Sequence, residues 1–152
     1  MANDARTNTY TYLDGYVTAG NILEDDDATP ATLLICFSGA TYPMSLVFFG
    51  TKNVDVVYSI GKPTTEPLQG HDMYIYGYKE IVPITISVVD KTGVTGEQLI
   101  WRAEAELRRV VETYPLGSTR ELERVTDNTQ LFGMTKLYSV TYLLKYKRSK
   151  TA

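Results

Sequence analysis

The chain has 152 residues, 43% hydrophobic and 22% charged, enough for one domain with its own core and incompatible with wholesale disorder. One cysteine, Cys36, and one histidine, His71, exclude an intramolecular disulfide and the Cys-rich or paired-His ligand sets of zinc sites. A net charge of −3 does not suit a dedicated nucleic-acid binder, and no apolar run approaches the ~18 residues of a membrane helix. The start, Met-Ala-Asn-Asp-Ala-Arg, lacks the basic-then-apolar pattern of a signal peptide. The composition fits the cytoplasm, or an assembly built there.

Residues 7–16 alternate Thr and Tyr before Asp14-Gly15 and read as a short strand or an ordered arm. Glu24, Asp25, Asp26 and Asp27 follow as an acidic loop. Three short apolar runs, 33–37, 45–49 and 54–60, read as strands, the first of them buried. Residues 62–72, with two prolines and a glycine, read as a long connection of the kind that often carries function. Residues 73–78 and 80–89 read as two more strands. Pro83 has no N–H for a ladder and is expected at an edge or near a strand start.

A helix is expected over about 96–114. Thr95 and Gln98 form a capping box. Leu99, Ile100, Ala103, Leu107, Val110, Val111 and Tyr114 make an apolar stripe, with Glu97, Arg102, Glu104, Arg108 and Glu112 largely off it. Glu104 and Arg108 stand at the favoured i,i+4 spacing for an ion pair. Residues 120–127 are ambiguous, and Asp127-Asn128 with Gly133 suggests turns. A C-terminal strand is expected over about 136–146, followed by a basic tail over 147–152. The expected fold class is therefore α+β: an antiparallel or mixed sheet with one long amphipathic helix packed on one face. The chain reads as a single domain in which residues 1–45 are an N-terminal arm or extension.

Chemistry finds little footing. His71 beside Asp72 would need a nucleophile; Cys36 lies in an apolar run, which leaves a thiol inert. Gly61-Lys62-Pro63-Thr64 lacks the glycine spacing of a phosphate loop. Glu24 to Asp27 lacks that of a calcium loop. No enzyme activity, metal or cofactor is expected. Two other features point to self-association. Twelve tyrosines against four phenylalanines and one tryptophan fit surfaces that pack at one end and stay wet at the other. Residues 1–90 carry four Lys/Arg against 11 Asp/Glu, and residues 91–152 carry 11 against seven, so copies would attract head to tail.

Tyr76-Gly77-Tyr78-Lys79-Glu80 leads into Val82-Pro83-Ile84-Thr85-Ile86. The turn Asp90 to Gly96, the helix with Trp101 to Arg109, Glu112 to Ser118, and the strand Leu137 to Tyr142 follow. Over about residues 50–148 this plan is similar to the tail terminator and tail-completion proteins of tailed bacteriophages and archaeal tailed viruses. The resemblance implies a non-enzymatic virion protein, assembled in the host cytoplasm. It would form a ring, commonly a hexamer, at the neck, ending the tail tube and joining the tail to the head connector. Its partners would be copies of itself, the tail tube protein and the connector or adaptor, with DNA passing through the lumen unread. An adaptor or stopper ring, or a non-viral α+β interaction module, are the alternatives.

Within that reading, Lys62, Glu66, Gln69, His71 and Asp72 of the long connection, and Lys147, Arg148 and Lys150 of the basic end, are expected to face subunits or partners. Glu24, Asp25, Asp26 and Asp27 are expected to line the lumen or face a partner.

Overall fold

The computed structural model describes residues 5–23, 29–38, 48, 54–90, 96–114, 116, 120–132 and 134–149, and the structural statements below concern these. The elements are α1 (Ala5–Tyr16), a 3-10 turn (Ala19–Asn21), β1 (Leu33–Phe37), β2 (Val56–Ile60), β3 (Thr64–Gln69), β4 (Ile75–Val89), α2 (Gly96–Thr113), β5 (Arg120–Phe132) and β6 (Thr135–Ser149). The fold is α+β, with a mixed six-stranded sheet in the order β1-β2-β4-β6-β5 and β3 also on β4. β1 runs parallel to β2, and the other pairings are antiparallel.

The expected helix forms over Gly96–Thr113, and its stripe from Leu99 to Val111 is buried. These residues share one apolar cluster with Val56, Tyr58, Ile84, Ile86, Val140 and Leu144. Tyr58, fully buried, satisfies its hydroxyl by donating to the Ala103 carbonyl at 2.8 Å. Burial drives that phenol's pKa well above its ordinary value. Thr95 of the capping box lies outside the described residues. Asp90 does the capping seen here: its Oδ1 accepts the Gly96 N–H at 2.7 Å. A smaller cluster of Phe48, Val54, Val57 and Val89 alternates along the strands with the first and so lies on the sheet's other face.

Several expectations are corrected. Residues 7–16 are not a strand but part of a second helix, α1. Ala5, Thr9, Tyr12 and Leu13 are its buried face, a helical spacing that the Thr-Tyr alternation conceals. The Thr9 hydroxyl donates back to the Ala5 carbonyl at 2.7 Å. That bond satisfies a buried hydroxyl within the helix itself. β1 is half-buried rather than buried, all five residues being partly exposed, because it pairs on one side only. Of the expected strand at 45–49, only Phe48 falls within the described residues.

The long connection is largely a strand. β3 pairs with β4 from Thr64↔Ile81 to Gln69↔Ile75, and the two expected strands at 73–89 are one, β4. Pro67 is tolerated because β3 has a free edge. Pro83 is not at an edge but in the middle of β4, and the reason is local. The β2 pairing ends at Ile60↔Ile84 and the β3 pairing begins at Thr64↔Ile81, so Pro83 faces the gap between them. Its carbonyl accepts the Gly61 N–H at 2.8 Å, and its missing N–H points to the same side, where no ladder partner stands. Gly61 fits because a β-carbon there would sit 3.1 Å from the Pro83 ring.

Residues 120–127 resolve as strand, and Asp127-Asn128 is not a turn. β5 runs through both, with a bulge between Arg124 and Thr126. Leu122 and Arg124 share the face of their partners Leu144 and Tyr142, and the bulge absorbs Val125 so that Asp127, opposite Val140, continues that face. The C-terminal strand extends to Ser149, so Lys147 and Arg148 of the supposed tail pair with Lys79 and Tyr78. The Glu104–Arg108 ion pair does not form. Glu104 is buried on α2; its Oε1 accepts from Arg124 Nε at 2.8 Å and from the Tyr142 hydroxyl at 2.5 Å. Arg108 instead donates to the Tyr142 oxygen at 2.9 Å.

Candidate functional site

β4 and β6 are each 15 residues long, or about 50 Å at 3.3 Å per residue, against about 27 Å for the 18 residues of α2. The ribbon therefore outruns the helix. Beyond β2, the β3–β4 hairpin and the last residues of β6 form one projecting end. At the other end β6 passes the last residue of β4 and closes on β5 in a second hairpin, Phe132 opposite Thr135.

The first hairpin tip is built by its backbone. Met73 N–H donates to the Gly70 carbonyl at 3.0 Å, Gly70 N–H to the Tyr74 carbonyl at 3.1 Å, and Tyr74 N–H to Asp72 Oδ1 at 3.0 Å. The turn leaves Met73 at φ 66°, the left-handed region where glycine is at home and a long side chain costs about 1–2 kcal/mol. Met73 is also 71% exposed, and Tyr74 and Tyr76 beside it are more than half exposed. The second tip presents Leu131, 77% exposed, and Met134, fully exposed. Large apolar side chains thus stand out at both ends of the same ribbon. Met73→Gly is expected to raise stability by about 1 kcal/mol, because it relieves the backbone and removes no buried contact. Urea denaturation of the two proteins checks this.

Behind the first tip the ribbon is held by charge. Glu80 is buried; its carboxylate accepts from Arg148 Nε at 2.6 Å and from the Thr65 hydroxyl at 2.9 Å. The Arg148 guanidinium lies 4.6 Å from the centre of the Tyr78 ring, a cation–π contact. β3, β4 and β6 are locked together by this group, which makes the projecting end stiff.

The fold brings most of the expected contact residues to that end. Glu66 and Gln69 are exposed on β3, His71 and Asp72 occupy the tip turn, and Lys147 stands opposite Lys79. Arg148 joins them but is committed to Glu80. Lys62 lies apart, before the start of β3. Glu24, Asp25, Asp26, Asp27 and Lys150 lie outside the described residues. The sequence reading missed Met73, Tyr74, Tyr76, Leu131 and Met134. The turn residues beside them in the sequence, Gly70-His71-Asp72 and Gly133, mark where the chain would reverse but not which side chains the tips expose.

Among the described residues no group of three or more His, Cys, Asp and Glu side chains is placed to hold a metal. No helix there is long and apolar enough to cross a membrane. A scan against protein-family models finds no match for this chain, and a search of curated proteins finds no similar one.

Proposed function

We propose that the chain is a structural subunit that assembles with copies of itself, head to tail, into a closed ring. The observation that carries this is the placement of apolar side chains at both tips of one stiff ribbon. A single molecule cannot cover either tip with the other. A contact made through unlike ends is heterologous, and it closes into a ring when the rotation permits. In this reading the long helix α2 backs one face of the sheet and leaves the ribbon ends free for neighbours.

By the resemblance read from the sequence, such a ring would sit at the neck of a tailed virus. There it would end the tail tube and join it to the head connector, with DNA passing through the lumen. The ring would be a hexamer, its partners the tube protein and the connector or adaptor, its location the virion, and its role non-enzymatic.

The test is the mass of the purified chain by light scattering, with negative-stain images of the same sample. Closed rings are expected for the wild type, and monomers with the wild-type circular dichroism spectrum for the Tyr74→Ser, Tyr76→Ser double variant. A wild-type chain that stays monomeric at its highest soluble concentration overturns self-assembly. Rings that persist in the double variant overturn the role of the tip.

A further inference from the structure

Between the C-terminal half of α2 and the start of β5 lies a cleft of about 550 Å³, within the range of small-molecule sites. Val111 and Leu122 give it apolar wall. Arg108, Arg120 and Arg124 all line it, and each is tethered along one side. Arg120 caps the helix C-terminus, donating from Nε to the Val111 carbonyl and from Nη2 to the Glu112 carbonyl. Arg124 is fixed by Glu104 and by Asp127, and Arg108 by the Tyr142 hydroxyl.

Those tethers leave defined donors over. Among the described residues, no bond uses Nε or Nη2 of Arg108, or Nη1 of Arg120 or Arg124. Three guanidinium groups already immobilised by the protein have little rotamer freedom left to lose on binding. Their planar N–H edges match the oxygens of phosphate and carboxylate. The Tyr142 phenol, pushed up to about 12 by burial and by its bond to Glu104, stays protonated and holds Arg108 in place at any physiological pH.

We propose that this cleft is an oxyanion-binding site, taking a phosphate or carboxylate group on the free edges of Arg108, Arg120 and Arg124. Glu112 and Glu121 also line it and set its selectivity. Their carboxylates accept hydrogen bonds, so a ligand that carries hydroxyl or ammonium donors beside its oxyanion is held more tightly than a bare anion. The site stands independently of ring assembly, since it lies on the body of the subunit and uses neither hairpin tip.

The test is calorimetric titration of the full chain with inorganic phosphate and, separately, with citrate, at constant ionic strength. Saturable binding is expected, weakened about tenfold or more in Arg108→Gln and unchanged in Lys136→Gln, whose side chain is exposed and lines no part of the cleft. Binding of phosphate alone assigns a phosphate ligand, and of citrate alone a carboxylate one. Arg108→Lys keeps the charge but loses the planar fork, and is expected to bind as weakly as Arg108→Gln. The proposal is overturned if neither anion binds saturably, or if either Arg108 variant binds like the wild type.

Discussion

Replacing Gly96 by alanine is expected to destabilise the fold by about 3 kcal/mol and to lower the melting temperature by about 6–12 °C. The usual sign is the opposite: alanine in a helix is better than glycine by about 0.5–1 kcal/mol. Gly96 differs because of what surrounds it. A β-carbon there would sit 2.6 Å from Asp90 Oδ1 and 2.7 Å from Cε2 of Tyr138. Both neighbours are committed. Asp90 caps the helix through the Gly96 N–H, and Tyr138 packs against the main apolar cluster. The new methyl must displace one of them, so the variant loses either the cap, worth about 1 kcal/mol, or part of the seam between α2 and β6. Thermal and urea denaturation measure the effect, and a stabilised Gly96→Ala protein would refute this account of the helix start.

What the sequence reveals and what it hides follow from range. α2 is legible because its stripe, from Leu99 to Val111, is a local pattern that burial then satisfies. The facing residues of β6, Tyr138 to Tyr146, are legible for the same reason. α1 is hidden because Thr and Tyr favour strands on their own, and only contact with distant residues reverses that preference. The Tyr12 hydroxyl donates to the carbonyls of Val110 and Tyr114, and Tyr10 stacks on Phe37 at 5.2 Å. β3 is hidden because a strand exposed along nearly its whole length carries no alternation to read.

The candidate site divides in the same way. Charged and turn residues such as Glu66, His71 and Asp72 were visible as unusual loop chemistry. The exposure of Met73, Tyr74 and Leu131 was not, because in sequence they look like any other strand residue. The arginine cleft was invisible. Arg108 and Arg124 meet at Tyr142, and no local spacing joins α2, β5 and β6.

Glu106 supplies the other large effect, because it fastens the N-terminal segment to α2. Its side chain is almost wholly buried, and four donors converge on the carboxylate. They are Arg109 Nε at 2.7 Å and Nη2 at 2.8 Å, the Thr18 N–H at 2.7 Å and Asn21 Nδ2 at 3.1 Å. Burial alone would push this carboxyl up. The bonds from Arg109, Thr18 and Asn21 outweigh it, and the group is held below its ordinary value of 4.5. A pKa lower in the folded than in the unfolded chain gives stability that is fully present above the unfolded value. That stability is lost as the pH falls through the folded one.

Glu106→Ala strands those donors and is expected to cost about 3 kcal/mol at neutral pH. Amide exchange over residues 17–22 should quicken as that segment detaches from α2. Glu106→Gln separates charge from shape: it keeps an acceptor oxygen but cannot titrate. In urea denaturation its deficit against the wild type is expected to be largest near pH 7 and to shrink towards pH 3, as the wild-type carboxylate gains its proton. A deficit that is the same at both pH values would mean that the shape of the side chain, and not its charge, joins the two helices.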